Sequence, residues 1–183
     1  MLPATPELAA AEIELIDMER RESVLSQVVE VIQQDYDFVL LDCPPSLGLL
    51  TLNALCAARW LLIPLQTEYY ALEGMARLLS TVDRVRGRLN PRLELLGIVL
   101  TMFDKRNKLS FHVEHEVRGH FQTLTLATTI PRNVRLSEAP SHGQPALLYD
   151  IRSLGTQAYL QLAQEILDLP RLNAWGTSTA AYT

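Results

Sequence analysis

The sequence contains few cysteines and no long apolar run. Cys43 and Cys56 are its only cysteines and no Cys-x-x-Cys pair occurs, which argues against a zinc site or a disulfide framework. Two isolated thiols are typical of a protein from a reduced cytoplasm. No uncharged apolar stretch reaches the roughly 18 residues that a membrane helix needs, and the first residues lack the basic and apolar regions of a signal peptide. We therefore expect a cytoplasmic protein that does not span a membrane.

Other missing features argue against several kinds of binding and catalytic site. The formal net charge is −5, so any contact with nucleic acid must come from a local basic patch. No Gly-x-Ser-x-Gly pattern occurs, which removes support for a serine hydrolase. His112 and His115 could touch one metal ion, but a solvent-exposed helix face is the favoured interpretation. No Gly-x-x-x-x-Gly-Lys-[Ser/Thr] pattern occurs either, so the common phosphate-binding loop is missing.

The residues that are present alternate between strand-like apolar runs and helical stripes. The predicted strands are Phe38–Asp42, Trp60–Leu65, Leu95–Met102 and Leu126–Ile130. The predicted helices are Glu7–Leu15, Glu22–Gln34, Leu49–Ala57, Glu68–Arg88, Ser110–Phe121 and Leu154–Leu167. This alternation predicts an α/β fold with a mostly parallel sheet flanked by helices. We expect residues 1–169 to form one domain and residues 170–183 to be a disordered tail.

Asp42 is the most informative single residue. It ends an apolar run that begins at Phe38, and a Pro44–Gly48 loop follows it. Ligands of parallel α/β sheets bind at the carboxyl ends of strands, where a carboxylate can organise a hydrated Mg²⁺ beside nucleotide phosphates. The loop, rigid at its prolines and flexible at its glycine, suits a switch that senses a phosphate. A carboxylate that caps a plain Pro-Pro turn is the alternative, and spacing alone does not decide between them.

Four blocks of the sequence carry a family resemblance. The chain resembles the ParA/Soj chromosome-partitioning ATPases at Asp37–Leu55, Gln66–Gly74, Leu100–Asp104 and Ile130–Gly143. The blocks fall in the family's order. The resemblance implies a three-layer fold like that of P-loop NTPases, ATP-dependent dimerisation and binding of DNA without sequence preference. It also implies a ParB-type partner that stimulates hydrolysis, and association with the nucleoid.

Positions carried over from the resemblance give candidate site residues. Asp42 corresponds to the Walker B aspartate, which acts in catalysis and holds Mg²⁺. The switch that follows it corresponds to Pro44, Pro45, Ser46 and Gly48. The expected contacts to the adenine of ATP are Met102, Pro131, Arg132 and Asn133. Asn133 offers both a donor and an acceptor to a base edge, but it could instead cap a short helix that starts at Val134.

Basic residues of the later part of the chain are candidate DNA contacts. The resemblance points to Arg106, Arg118 and Arg135, and cations aimed at phosphates are what non-specific binding requires. Arg106 and Arg135 are the preferred two. Ordinary solvated charge is the alternative for each arginine taken alone.

The chain also departs from the family pattern. Family members begin with a strand, a lysine-rich phosphate loop, a helix and a further strand, and none of these occurs in this sequence. We expect the Asp42 strand to border a gap or an exposed edge, and the chain to bind ATP poorly without hydrolysing it. One alternative is a non-catalytic short form that binds a full-length homologue or DNA. A membrane-cycling ATPase of MinD type is the other, although Pro170 interrupts the amphipathic helix that it needs.

Overall fold

Short helices dominate the amino-terminal part of the described chain. The computed structural model describes residues 4, 5 and 7–172, and its first helices are α1 (Leu8–Glu14), α2 (Val24–Ile32) and α3 (Leu49–Ala57). Single 3-10 turns lie at Leu15–Asp17, Arg21–Ser23 and Gln33–Asp35. The chain divides into two units, and the first consists of Met1–Leu61 and Ala76–Leu95, which includes most of helix α4 (Ala71–Arg88).

The first unit packs around α3 and α4. Its buried core consists of Leu55, Val82, Val85 and Leu93. The side-chain amide of Asn90 donates to the carbonyls of Leu55 and Ala58 at 2.9 and 2.7 Å. Because the last carbonyls of a helix lack partners within it, Asn90 closes the end of α3.

A second buried asparagine ties α3 to the segment before α2. The Nδ2 of Asn53 donates to the carbonyls of Arg21 and Leu49 at 2.8 and 2.9 Å. Its Oδ1 accepts from the Leu25 backbone N–H at 3.1 Å. The side chain is 3% exposed and uses both ends of its amide, so it fixes how these helices meet.

The second unit, Leu62–Met75 with Leu96–Thr183, contains nearly all of the sheet. Within the described residues the strands are β1 (Trp60–Gln66), β2 (Glu94–Phe103) and β3 (Thr125–Pro131), in the spatial order β1-β2-β3. β2 and β3 are parallel, and Ile98 lies opposite Thr125. The remaining helices are α5 (Lys108–His120), α6 (Val134–Glu138), a 3-10 turn at Ala139–His142, α7 (Ala146–Tyr149) and α8 (Leu154–Leu167).

Helix α8 covers β3 in this unit. Their shared core consists of Val99, Leu126, Ile130, Ala158 and Leu162. The carboxylate of Glu165 also accepts from the backbone N–H groups of Ala127 and Thr128, at 2.6 and 2.8 Å. These amides lie on a strand at the border of the sheet, so Glu165 satisfies donors that would otherwise lack a protein partner.

Most of the predicted elements are confirmed. Helices α3 and α8 have the predicted bounds, and β1, β2 and β3 agree with their predictions within one residue at each end. The α/β class with parallel pairing is confirmed.

Over the described part of the chain, no helix is both long and apolar enough to cross a bilayer. Of the predicted tail, residues 170–172 are helical and residues 173–183 lie outside the described residues. The domain boundary stays a prediction.

The buried strand predicted at Phe38–Asp42 is wrong. Residues 36–44 have no strand conformation, Phe38 is 55% exposed and Leu40 is 91% exposed. A strand needs a neighbouring strand to pair its backbone N–H and C=O groups, and the described part of the first unit offers none beside this segment. An apolar run alone therefore does not make a strand.

Candidate functional site

Asp42 lies on this exposed segment of the first unit. Its side chain is exposed, and none of the ion pairs found among the described residues includes it. The neighbouring Cys43 is exposed as well. Partial desolvation raises the pKa of its thiol, and the negative charge of Asp42 raises it further by a smaller amount. Since the thiolate is the nucleophile, a raised pKa lowers the fraction of Cys43 that is thiolate at neutral pH. On this segment, Asp42 is therefore the candidate ligand for a cation.

A single carboxylate suits only a hydrated cation. Within the part of the chain that the structure describes, no three His, Cys, Asp or Glu side chains are grouped so that they could hold a metal ion. Mg²⁺ keeps several waters and typically takes one or two carboxylates beside nucleotide phosphates. Asp42 fits that role, and it does not fit a metal held by the protein alone.

The loop 44–48 leads from Asp42 into α3. The hydroxyl of Thr51 donates to the Ser46 carbonyl at 2.5 Å. Gly48 precedes the first turn of α3, and the Glu12 carboxylate packs against it where any side chain would collide. The Oε1 of Glu12 is buried without a hydrogen-bond partner among the described residues. The loop is therefore anchored at Ser46 and Gly48, whereas its prolines are exposed.

The carboxyl ends of β2 and β3 lie side by side in the second unit. Phe103 pairs with Pro131, and the Arg132 N–H donates to the Phe103 carbonyl at 3.0 Å. Met102 has a left-handed backbone with φ of +54° and a partly exposed side chain. The residues predicted to contact the adenine therefore come together at one sheet edge. Their contact with a base stays a prediction.

Asn133 caps the short helix that follows. Its Oδ1 accepts from the Arg135 N–H at 2.9 Å, so the alternative interpretation as the cap of α6 is confirmed. A capping side chain uses its oxygen for the helix. The Nδ2 donor is the half of the amide that remains for a base edge.

Arg106 is the most exposed of the predicted DNA contacts. Its guanidinium donates from Nε and Nη2 to the two carboxylate oxygens of Asp104, each at 3.0 Å. These hydrogen bonds lower the pKa of Asp104 to about 2. The Arg106 side chain is 89% exposed despite this pairing. Arg106 is therefore paired with Asp104 and still accessible to solvent.

Arg118 and Arg135 are also paired. Arg118 donates to Glu114 at 3.0 Å and to the Leu126 carbonyl at 3.2 Å, which fastens α5 to β3. Arg135 donates to Glu138 at 2.9 Å and lies 3.6 Å from Asp150. None of the three arginines is an unpaired cation in the structure, and their role in DNA binding stays a prediction.

Two buried hydroxyl groups lie near the carboxyl end of β2, and no sequence pattern predicts that they meet. Thr67 and Ser110 are 3% and 2% exposed, and their hydroxyl oxygens are 3.1 Å apart. Thr67 lies in the block Gln66–Gly74, whose resemblance gave it no role. Serine and threonine are common at every kind of position, so only the fold shows that these two meet.

The chain is similar to known proteins over most of its length. A family model described as an AAA domain matches residues 1–95. The chromosome partitioning protein ParA of Myxococcus xanthus (strain DK1622) is 51% identical over 173 residues, which cover 93% of this chain and 61% of that protein. The chain belongs to the ParA/Soj family. Soj of Bacillus subtilis (strain 168), a sporulation initiation inhibitor protein, is 52% identical over 166 residues, covering 91% of this chain and 66% of Soj. The chain thus spans less than two thirds of the length of these family members.

Solved structures support the same fold. Cobyrinic acid a,c-diamide synthase from Mycobacterium smegmatis is 36% identical with a TM-score of 0.75, covering 91% of this chain and 61% of that one. A second structure of that enzyme contains a bound ATP analogue and magnesium. It is 41% identical with a TM-score of 0.66, covering 73% of this chain and 55% of that one. These neighbours share the α/β architecture of the ParA/Soj chain.

Proposed function

We propose that this chain acts in chromosome or plasmid partitioning as a ParA/Soj-type protein. In this proposal it binds ATP with Mg²⁺, forms a homodimer and binds DNA without sequence preference. It works with a ParB-type partner on the nucleoid. The observation that carries the proposal is the meeting of Met102, Pro131 and Arg132 at one sheet edge in a member of this family.

Each predicted site residue has a proposed task. Asp42 holds the hydrated Mg²⁺ and the loop 44–48 responds to the nucleotide's terminal phosphate. The backbone around Met102 and Pro131, with the Nδ2 of Asn133, contacts the adenine. When bound, Mg²⁺ would neutralise phosphate charge. The sequence has no Gly-x-x-x-x-Gly-Lys-[Ser/Thr] loop, so phosphate donors are scarce, and the proposal is that this chain by itself binds ATP weakly and does not hydrolyse it.

Replacing Asp42 by asparagine tests this assignment. We expect Asp42→Asn to weaken ATP binding in the presence of Mg²⁺ by about tenfold, because an amide is a poorer magnesium ligand than a carboxylate. Binding measured in EDTA should not change. Calorimetric titration of the 183-residue chain with ATP, with and without Mg²⁺, provides both values.

Asp37→Asn is the matched control. Asp37 is exposed on the same segment, and its substitution removes the same charge. An equal loss of affinity in both variants would mean that Asp42 acts only through bulk charge. If the wild-type chain binds no adenine nucleotide at millimolar concentration, the proposed nucleotide site is wrong.

DNA binding gives a second prediction. We expect Arg106→Ala and Arg135→Ala each to reduce the slope of log K against log salt by about 1, because each removes one phosphate contact. Fluorescence anisotropy with duplexes of two unrelated sequences measures the slope. Arg118 is ranked last of the three because its guanidinium already donates to the Leu126 carbonyl.

Arg86→Ala serves as the control for these variants. Arg86 is exposed on α4, so its loss makes the same change in net charge. A slope reduced equally by Arg86→Ala would argue for a diffuse charge effect and against a specific DNA-binding surface.

One observation favours the second candidate function, a non-catalytic module that binds a full-length homologue. The apolar residues Phe38 and Leu40 are exposed on a segment without a pairing strand. A backbone in this state can pair with a strand of another chain. Stable association with a full-length homologue, without ATP turnover by this chain, would support the module over the ATPase.

A further inference from the structure

The end of β2 contains a bulge. Leu100 lies opposite Thr129 and Phe103 lies opposite Pro131, so three steps along β2 match two steps along β3. Met102 absorbs the extra residue with its left-handed φ of +54°. Residues with a side chain hold this conformation only where the surroundings enforce it. Bulges of this kind often lie beside binding sites, where they redirect a side chain.

Two buried hydroxyl groups surround this bulge. The Thr67 N–H donates to the Thr101 carbonyl at 3.1 Å, and the Thr67 hydroxyl lies 3.4 Å from the Met102 carbonyl. The Ser110 hydroxyl oxygen accepts from the Asp104 N–H at 3.3 Å and lies 3.1 Å from the Thr67 hydroxyl. The hydroxyl pair therefore contacts the Met102 carbonyl and the Asp104 N–H, and the backbone N–H of Thr67 binds the carbonyl of Thr101, which precedes the bulge. Both hydroxyl groups are buried from water.

We propose that Thr67 and Ser110 form a hydroxyl clamp that holds the Met102 bulge and thereby positions the contacts to the nucleotide's base. This inference rests on the proposed function, in which Met102 and Pro131–Asn133 contact the base. The bulge is joined to that loop, because the Arg132 N–H donates to the Phe103 carbonyl. Thr67 and Ser110 do not touch the base in this arrangement. They act as positioning residues that set which base fits.

Backbone hydrogen exchange tests the clamp without any nucleotide. Thr67→Val removes the hydroxyl and keeps the shape of the side chain. We expect the amides of residues 102–104 to exchange about tenfold faster in Thr67→Val, the ratio that corresponds to one buried hydrogen bond. Thr67→Ser keeps the hydroxyl and should exchange like the wild type, and Ser110→Ala should resemble Thr67→Val.

Thr125→Val is the matched control. Thr125 is a buried threonine at the opposite end of the sheet, and its hydroxyl donates to the Phe121 carbonyl at 2.8 Å. Its substitution should leave exchange at residues 102–104 unchanged. If Thr67→Val also leaves these amides unchanged, or if Thr125→Val accelerates them equally, the clamp is overturned.

The ratio of ATP to GTP affinity tests the positioning role. We expect Thr67→Val to reduce this ratio at least several-fold and Thr67→Ser to restore it, because a loosened bulge distinguishes the two bases less well. An equal fall in both affinities, with faster exchange, would reduce Thr67 to a merely structural residue and overturn the proposal. A wild-type chain that binds neither nucleotide would contradict the proposed function. The exchange experiment, which needs no nucleotide, would then show by itself whether Thr67 and Ser110 hold the Met102 bulge.

Discussion

Replacing Asn53 by alanine lowers the free energy of unfolding by about 3 kcal/mol in our expectation, because three hydrogen bonds of about 1 kcal/mol each are lost. The side chain donates to the Arg21 and Leu49 carbonyls and accepts from the Leu25 N–H. It is nearly fully buried, so water cannot replace it without a rearrangement. The Leu25 N–H lies in the first turn of α2, where no helical carbonyl can satisfy it.

Urea unfolding at constant protein concentration measures this loss. Asn107→Ala is the control, since Asn107 is an exposed asparagine whose Oδ1 caps α5 at the Leu109 N–H. Loss of such a cap costs about 1 kcal/mol. If Asn53→Ala is no more destabilising than Asn107→Ala, the three hydrogen bonds do not fasten α3 as described.

The second large effect is expected for Gly155→Val. Gly155 lies in the first turn of α8, and a Cβ at this position would lie 2.6 Å from Leu136 Cγ and 3.0 Å from Asn133 Cβ. A valine adds two further methyl groups to this overlap. We expect a loss of about 3 kcal/mol, at the upper end of what overpacking costs. The substitution should also displace Asn133, so ATP binding should weaken together with stability.

Gly119→Val separates crowding from helix propensity. Gly119 lies in α5, and a Cβ there would meet nothing within 4 Å. Valine is a better helix former than glycine, so this control should be neutral or slightly stabilising in thermal unfolding. Equal destabilisation by both valines would mean that contact with Leu136 is not the cause.

Local signals explain why several elements could be predicted. Helix α8 begins after Ser153, whose side chain accepts from the Thr156 N–H at 3.2 Å. A capping residue before a periodic apolar stripe is visible in the sequence alone. The same applies to Asn133, whose capping role could be predicted from its position before Val134, whereas its proposed contact with adenine rests on the family resemblance.

Features that depend on distant partners could not be predicted. The run from Phe38 to Asp42 has the composition of a strand, but pairing depends on a neighbour that local composition does not specify. The left-handed Met102 has no sequence signal, since glycine and asparagine are the residues that usually mark this conformation. Its support by Thr67 and Ser110 joins residues 43 positions apart, which no local pattern reveals.

The arginines are an intermediate case. Arg118 follows Glu114 by four residues and Arg135 precedes Glu138 by three, and both spacings permit ion pairs on a helix. The spacing alone therefore permits both ion pairs, whereas the DNA-binding role of these arginines rests on the family resemblance. Exposed pairs of this kind contribute little to stability, so they do not prevent an arginine from also meeting a phosphate.

The segment from Phe38 to Leu41, on which Phe38 and Leu40 are exposed, affects the solubility of the protein. Short apolar runs with unpaired backbone groups are the segments from which amyloid-like stacks grow. Asp37 and Asp42 flank this run on its two sides. In an in-register stack, every added copy would place these carboxylates directly above those of the copy below, and their repulsion opposes growth. The same aspartate that is proposed to hold magnesium thus helps to keep the polypeptide dispersed.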